Sequence, residues 1–292
     1  MSINHSENYH FRHGDIVLLV ENVLFKLHRD ILESHSDYFR NLFNMAESAD
    51  NQAMSNEDPL VLPANICSAD LFGRICSFLY PRAIGGFPTI LVQELETWEA
   101  VLHATISLGM SSLREYILSK LEDDITGVAT SAAKLLGLVV RYEETSDSLK
   151  IKCLNSLVYL RRGISASEVT ALGGEATAQV VAIRDRVRIL IATSFPYWTT
   201  IHRHYLCDGT TCQQLLHEGI FNNIKDMDPL NELYQSDSSI FDIAQDNRIC
   251  GYCNSVRSTL TRTMAKQELE TEIYRCAIGL GLLRAGNQVI SE

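Results

Sequence analysis

Long apolar stretches are missing from this chain. No run of about 18 or more uninterrupted apolar residues occurs, which is the length a membrane-crossing helix needs. The segment from Ala178 to Phe195 comes nearest, and Arg184, Asp185, Arg186 and Arg188 interrupt it. Met1 to His13 is polar and has no apolar core of a secretory signal. Neither a membrane span nor a secretory leader is therefore expected, and the expected location is cytoplasmic, nuclear or both. Catalytic signatures are missing too. There is no P-loop, no H-E-x-x-H and no G-x-S-x-G. Gly279-Leu280-Gly281 lacks the third glycine of a dinucleotide fingerprint, and no buried strand precedes it. Positive charge is in short supply: the formal net charge is −11, a field that repels phosphate backbones, so nucleic acid is not an expected partner. No internal repeat or low-complexity segment is found.

What remains is ordinary globular composition, 46% hydrophobic and 21% charged over 292 residues, enough for about two domains with a core each. Residues 1–13 carry His5, His10 and His13 without a ligand-like cluster and read as a disordered, solvated lead. Ile16–Val20 and Val23–Leu27 read as strands joined by a turn at Glu21-Asn22, followed by two short helices. The second helix presents Tyr38, Phe39, Leu42 and Phe43 on one side. Residues 46–59 read as a solvated loop and Leu60–Leu62 as a short strand closed by Pro63. Helical spacing then takes over: Leu71, Phe72, Ile75, Cys76, Phe78 and Leu79 form one stripe, and Leu95, Trp98, Val101, Leu102, Thr105 and Ile106 the next. Ser112 to Glu115 fits a capping box opening a further helix to about Leu121. Beyond it the spacing predicts helices over 126–138, 146–161, 168–172, 176–193 and 256–283. A second capping box lies at Ser165 to Glu168, and Gly173-Gly174 ends its helix. The basic residues Arg161, Arg162, Arg184, Arg186 and Arg188 read as a solvated helix face.

The opening residues are ordered in a way that resembles the BTB/POZ domain, an interaction module without catalytic chemistry. Asp15 leads the first strand, Phe25, His28 and Arg29 close the second, and Ser36, Tyr38, Phe39, Leu42 and Phe43 form the following helix. The resemblance covers about residues 14–122 and implies an α+β fold, a short sheet flanked by helices. A mostly α-helical C-terminal region would follow, divided into an extension over 123–195 and a region over 196–292. The order of Trp98 to Leu102, Leu113 to Glu115, Leu172-Gly173 and Arg184 to Arg188 looks like a BTB subfamily common in mushroom-forming fungi. In the family, Asp15 and Arg29 would form a charged pair in a pocket at a two-fold dimer interface. The resemblance thus implies a non-enzymatic scaffold or adaptor that binds itself and other proteins. It further implies recruitment to a cullin-type ubiquitin ligase as a substrate adaptor. His28 is expected to pack as a structural histidine.

The cysteines, eight in all, fall into two populations. Cys67, Cys76, Cys153 and Cys276 are isolated in apolar or helical contexts and read as small buried hydrophobes. Cys207-x₄-Cys212 and Cys250-x-x-Cys253 are two knuckles with glycine in their turns, a pattern suited to one structural zinc ion at tetrahedral geometry. His202, His204 and His217 lie near enough to replace one thiol, and helices at 212–218 and 231–235 would fill the space between the knuckles. Other readings stay open. The four thiols can be ordinary free cysteines, or Cys250 and Cys253 a thiol–disulfide exchange pair, although 242–249 is too polar for the buried strand such a motif follows. A transcription-associated regulator with a zinc module is the remaining alternative.

Overall fold

Ile16–Val20 (β2) is apolar at every position, and four of its five residues are buried, so it can only be an interior strand. It pairs antiparallel with Val23–Leu27 (β3) in the register Val20↔Val23 to Ile16↔Leu27, across the two-residue connection Glu21-Asn22. Glu21 takes a φ of 53°, the left-handed conformation such a tight connection requires. In the computed structural model, which describes residues 3–47, 58–83, 85–142, 147–193, 210–225 and 237–284, two compact units are present: Met1–Gly127 and Val128–Glu292.

The sheet of the first unit has the order β1-β3-β2-β4, with Asn4–His10 as β1 and Leu60–Leu62 as β4, each parallel to its neighbour. β1 corrects the expected disordered lead. Its side chains are mostly solvated, as the sequence indicates, but its backbone adds to the β3 edge. Asn4 N–H donates to Asn22 O and Phe11 N–H to Lys26 O, both at 2.9 Å. An edge strand needs only backbone pairing, which hydrophobic patterning does not register.

Helices cover the sheet: Arg29–His35 (α1), Asp37–Glu47 (α2), Ala69–Leu79 (α3), Leu95–Ser107 (α4) and Ser111–Asp123 (α5). Phe25 of β3 meets Phe72 of α3 edge-on, with centroids 4.9 Å apart, and Phe39 of α2 lies 6.3 Å from Phe72 and 5.8 Å from Phe43. Ser36 is buried between α1 and α2. Its hydroxyl donates to Leu108 O and accepts the Phe39 N–H at 3.2 Å, so it caps α2 while holding the α4–α5 corner. Gly109, at φ 61°, turns that corner, and a Cβ there would stand 3.0 Å from Asp37 Cβ. The capping box expected at Ser112 is absent. α5 begins two residues earlier, with Met110 at the cap position and no side-chain acceptor. The Met110 amide bonds Thr105 O at 2.8 Å instead, so the tight α4–α5 corner sets the start.

The second unit is helical among its described residues. Ile125–Arg141 (α6) is capped by Asp124, which accepts Gly127 N–H at 2.9 Å and Val92 N–H at 3.0 Å. Asp147–Val158 (α7), Ala166–Leu172 (α8), Gly174–Thr193 (α9), Thr210–Lys225 (α10), Gly251–Ser255 (α11) and Arg257–Gly279 (α12) follow. Their core includes Leu136, Leu154, Val180, Ile183, Val187, Leu269 and Ile273. α9 packs against α7, α10 and α12, so helices from both expected C-terminal regions share this unit. The helix expected over 256–283 is α12, with the short α11 just ahead of it, and the expected 231–235 helix lies outside the described residues. None of the described helices is long and apolar enough to cross a membrane.

The expected solvated arginine face is corrected at two positions, Arg161 and Arg184, while Arg186 is exposed as expected. Arg184 is 4% exposed and Arg161 5%. The Arg184 guanidinium donates to Leu160 O at 2.9 Å, to Arg161 O at 3.1 Å and to Arg162 O. Carbonyls left over beyond the end of α7 need donors, and a guanidinium supplies several in one plane. Arg162 grips Glu168 through two contacts of 2.6 and 2.8 Å, and Glu168 completes the Ser165 capping box. The Arg162 contact holds the Glu168 carboxyl down, at about 2.

Two outcomes follow from these contacts. Gly137 on α6 faces the α8 backbone so closely that an added Cβ would lie 2.9 Å from Ala171 C. Gly137→Ala is therefore expected to destabilise the protein by about 1–3 kcal/mol in urea unfolding. Glu168 is depressed in the folded state, so its stabilisation is complete above its ordinary value of 4.5 and is lost as pH falls towards 2. Glu168→Gln should unfold at lower urea than wild type at neutral pH, and the gap should close as the pH approaches 2.

Candidate functional site

Two regions gather the residues that the sequence singles out. The first is the start of α1. His28, at the cap position, has extended backbone (φ −109°, ψ 124°) and no side-chain bond into the helix. Asp15, at the foot of β2, takes over that duty: its Oδ1 accepts the Arg29 N–H at 2.7 Å. A carboxylate on a helix N-terminus satisfies a backbone donor that a seven-residue helix would otherwise leave to water. Asp15 itself is held by its amide on Leu27 O at 2.9 Å. The Arg29 guanidinium makes a 2.6 Å ion pair with Glu33 and lies 5.1 Å from the Phe43 ring centre. Asp15 and Arg29 are thus brought together through the Arg29 backbone amide. Asp15 is exposed and the Arg29 side chain is 32% exposed, so both reach solvent in the single chain. His28 sits beside Phe11 and Tyr80, with ring centres 5.4 and 5.9 Å away, and its amide donates to the Tyr80 hydroxyl at 3.0 Å. That is the setting of a structural histidine. Burial pushes the Tyr80 phenol up to about 12, so it stays protonated there.

The second region is the thiol cluster. Cys212 is the third residue of α10, Cys250 caps α11, and Cys253 is the third residue of α11. Their three sulfurs lie within 4.8 Å of one another. Cys212 is 5% exposed, Cys253 8%, and Cys250 is half-buried. Backbone amides turn towards the sulfurs: Cys250 N–H donates to Cys212 Sγ at 3.4 Å and Cys253 N–H to Cys250 Sγ at 3.5 Å. Cys207, His202 and His204 lie outside the described residues. His217 does not join the sulfurs. It is buried with Nε2 3.2 Å from Ile191 O, and burial lowers its pKa. It falls five positions beyond Cys212 on α10, which turns it away from the first residue's side of the helix.

The residues that place the cluster were not legible in the sequence. Asn223 of α10 donates to Ile240 O at 2.9 Å and to Asp242 O at 3.3 Å. Arg257 of α12 donates to Ile243 O at 3.0 Å and to Asn254 O at 2.7 Å. Asn223 holds residues 240–242 against α10, and Arg257 ties residues 243 and 254 to the start of α12. Each is a polar residue on a helix with nothing in its spacing to mark it, so no local signal would have found it. Among the isolated thiols, Cys67, Cys76 and Cys153 are buried as expected, while Cys276 is only half-buried and contacts Glu272. Burial raises the Cys67 thiol to about 12 and the Cys76 thiol well above its ordinary value, so neither is a nucleophile at neutral pH.

Comparison with known proteins bears on the first region. Residues 4–124 match the family model of the BTB/POZ domain. The match begins with β1 and so includes the strand that the sequence reading leaves out. The human zinc finger and BTB domain-containing protein 21 is 27% identical over 103 residues, 35% of this chain. The chain spans only 8% of that relative's length.

The Asp15 contact carries a measurable consequence. Asp15→Ala removes the acceptor for the Arg29 amide and is expected to cost about 1 kcal/mol of stability, whereas Asp15→Asn keeps an oxygen acceptor and should cost less. Urea unfolding of both variants beside wild type distinguishes the two.

Proposed function

We propose, from the premise that residues 4–124 are a BTB/POZ domain, that this protein is a non-enzymatic adaptor that self-associates through that domain. The observation that carries the reading is the domain match itself, since BTB/POZ domains mediate self-association and protein partnering. The setting of Asp15 and Arg29 supports it. Both are fixed by the fold, Asp15 by two backbone contacts and Arg29 by Glu33 and Phe43, and both keep exposed surface for a second copy. Fixed, partly exposed charges register two surfaces even where they add little net affinity. The helical unit Val128–Glu292 supplies a second surface for a partner, and recruitment to a cullin-type ubiquitin ligase is the finer form of the adaptor reading.

Sedimentation of the full chain tests the proposal. Wild type is expected to be a dimer at micromolar concentration. Asp15→Asn combined with Arg29→Gln is expected to weaken association by at least about tenfold, or about 1.4 kcal/mol. A wild-type monomer would overturn the self-association, and an undiminished dimer in the double variant would remove these two residues from its interface. Affinity capture with a purified cullin N-terminal region then tests the finer form, which fails if no complex forms.

A further inference from the structure

We infer that Cys212, Cys250 and Cys253 bind a zinc ion that fastens the start of α10 to the 250–253 turn. The site goes beyond the adaptor reading and lies wholly within the second unit. Three sulfurs from two elements 38 residues apart converge within 4.8 Å of one another. Tetrahedral zinc with metal–sulfur bonds of about 2.3 Å places its ligand sulfurs about 3.8 Å apart, a spacing this cluster reaches with small rotamer changes. The count of three matters. A disulfide joins only two sulfurs, whereas a metal ion uses all three.

The surroundings suit thiolates. Two backbone amides point at sulfurs, at 3.4 and 3.5 Å, and such donors favour the deprotonated ligand form. Cys212 also stands in the first turn of the 16-residue α10, where the helix field favours negative charge. The donor set is all sulfur, which selects a soft or borderline ion and rejects magnesium and calcium. With no redox role required of a buried structural clasp, zinc is the ion that fits. Binding displaces the thiol protons, so occupancy falls as pH is lowered. The three sulfurs fill three of the four tetrahedral positions.

The test uses the full chain purified without chelator from zinc-supplemented medium. About one zinc per chain is expected by inductively coupled plasma mass spectrometry. Exchange into cobalt(II) is expected to give intense visible bands of tetrahedral cobalt together with sulfur-to-metal charge-transfer bands in the near ultraviolet. Cys212→Ser and Cys253→Ser should lose the bound metal, while Cys276→Ser, a thiol of the same unit outside the cluster, should retain it. Should the serine variants fail to fold, the cobalt spectrum of the wild-type chain decides. Wild type without stoichiometric metal, cobalt without sulfur charge transfer, or a Cys250–Cys253 disulfide in place of metal would each overturn the inference. Metal content and self-association are read separately, so failure of one leaves the other standing.

Discussion

The first unit hangs on a buried hydroxyl. Ser36 joins residues 72 positions apart by donating to Leu108 O, and the same oxygen accepts the first free amide of α2. Without that acceptor the α2 terminus would bury an unpaired donor, and the Leu108 carbonyl would keep only its long bond from the Tyr38 amide. Around it the α2 start closes on the α4–α5 corner: Asp37 N–H reaches Gly109 O at 3.3 Å and Tyr38 N–H reaches Leu108 O at 3.4 Å. Once α2 is placed, Phe39 and Phe43 are placed with it. The aromatic chain from Phe43 through Phe39 and Phe72 to Phe25 then ties helices to sheet. A sheet of four short strands has little area to bury, so its stability depends on such helices being locked over it.

The same device recurs throughout the protein: a helix end is completed by a side chain that arrives from elsewhere. Asp15 serves α1 from the foot of β2. Asp124 serves its own helix and reaches Val92 as well. Arg184 of α9 serves the carbonyls beyond α7. Helices of seven to twelve residues are marginal by themselves in water, so each needs tertiary help at its termini and along its apolar face. The consequence for function is rigidity where it is needed. Asp15 is an exposed carboxylate whose position is set by the strand and the helix it joins, rather than a mobile surface side chain.

How much of this the sequence disclosed follows from the range of each interaction. The β2–β3 hairpin, the stripes of α3 and α4, and the Ser165 capping box are local patterns of apolar spacing or cap chemistry, and they stand where the residues place them. β1 escaped because edge pairing uses backbone groups and leaves a polar side-chain pattern. Ser112 misled because Ser-x-x-Glu is necessary for a capping box but not sufficient; the tight α4–α5 corner started the helix first. The arginines misled for a related reason. Charge in a sequence says solvent by default, and only the fold shows that the carbonyls of residues 160–162 lie within reach of Arg184. At the thiol cluster the ligand spacing was local and legible, whereas Asn223, which ties residues 240–242 to α10, and Arg257, which ties Ile243 to α12, act over distance and were not.

The segment 237–256 is the part of the second unit on which the proposed metal clasp would act. It has one five-residue helix and an isolated bridge between Leu160 and Ser239, so regular hydrogen bonding holds little of it. Its apolar anchors are Ile240, Phe241, Ile243 and Ile249; Asn223 and Arg257 donate to its carbonyls, and its Ile240 amide donates to Tyr159 O. A stretch so dependent on isolated contacts is costly to order, because each fixed residue gives up about 1–2 kcal/mol of backbone entropy. Thiolate–metal bonds offset that cost with little added apolar area, which is the usual solution where a core is too small to do so. With zinc in place, α10 and the turn before α12 become one fixed surface. The adaptor reading requires that of its second unit, since a partner binds a preorganised face at lower entropic cost than a fluctuating one.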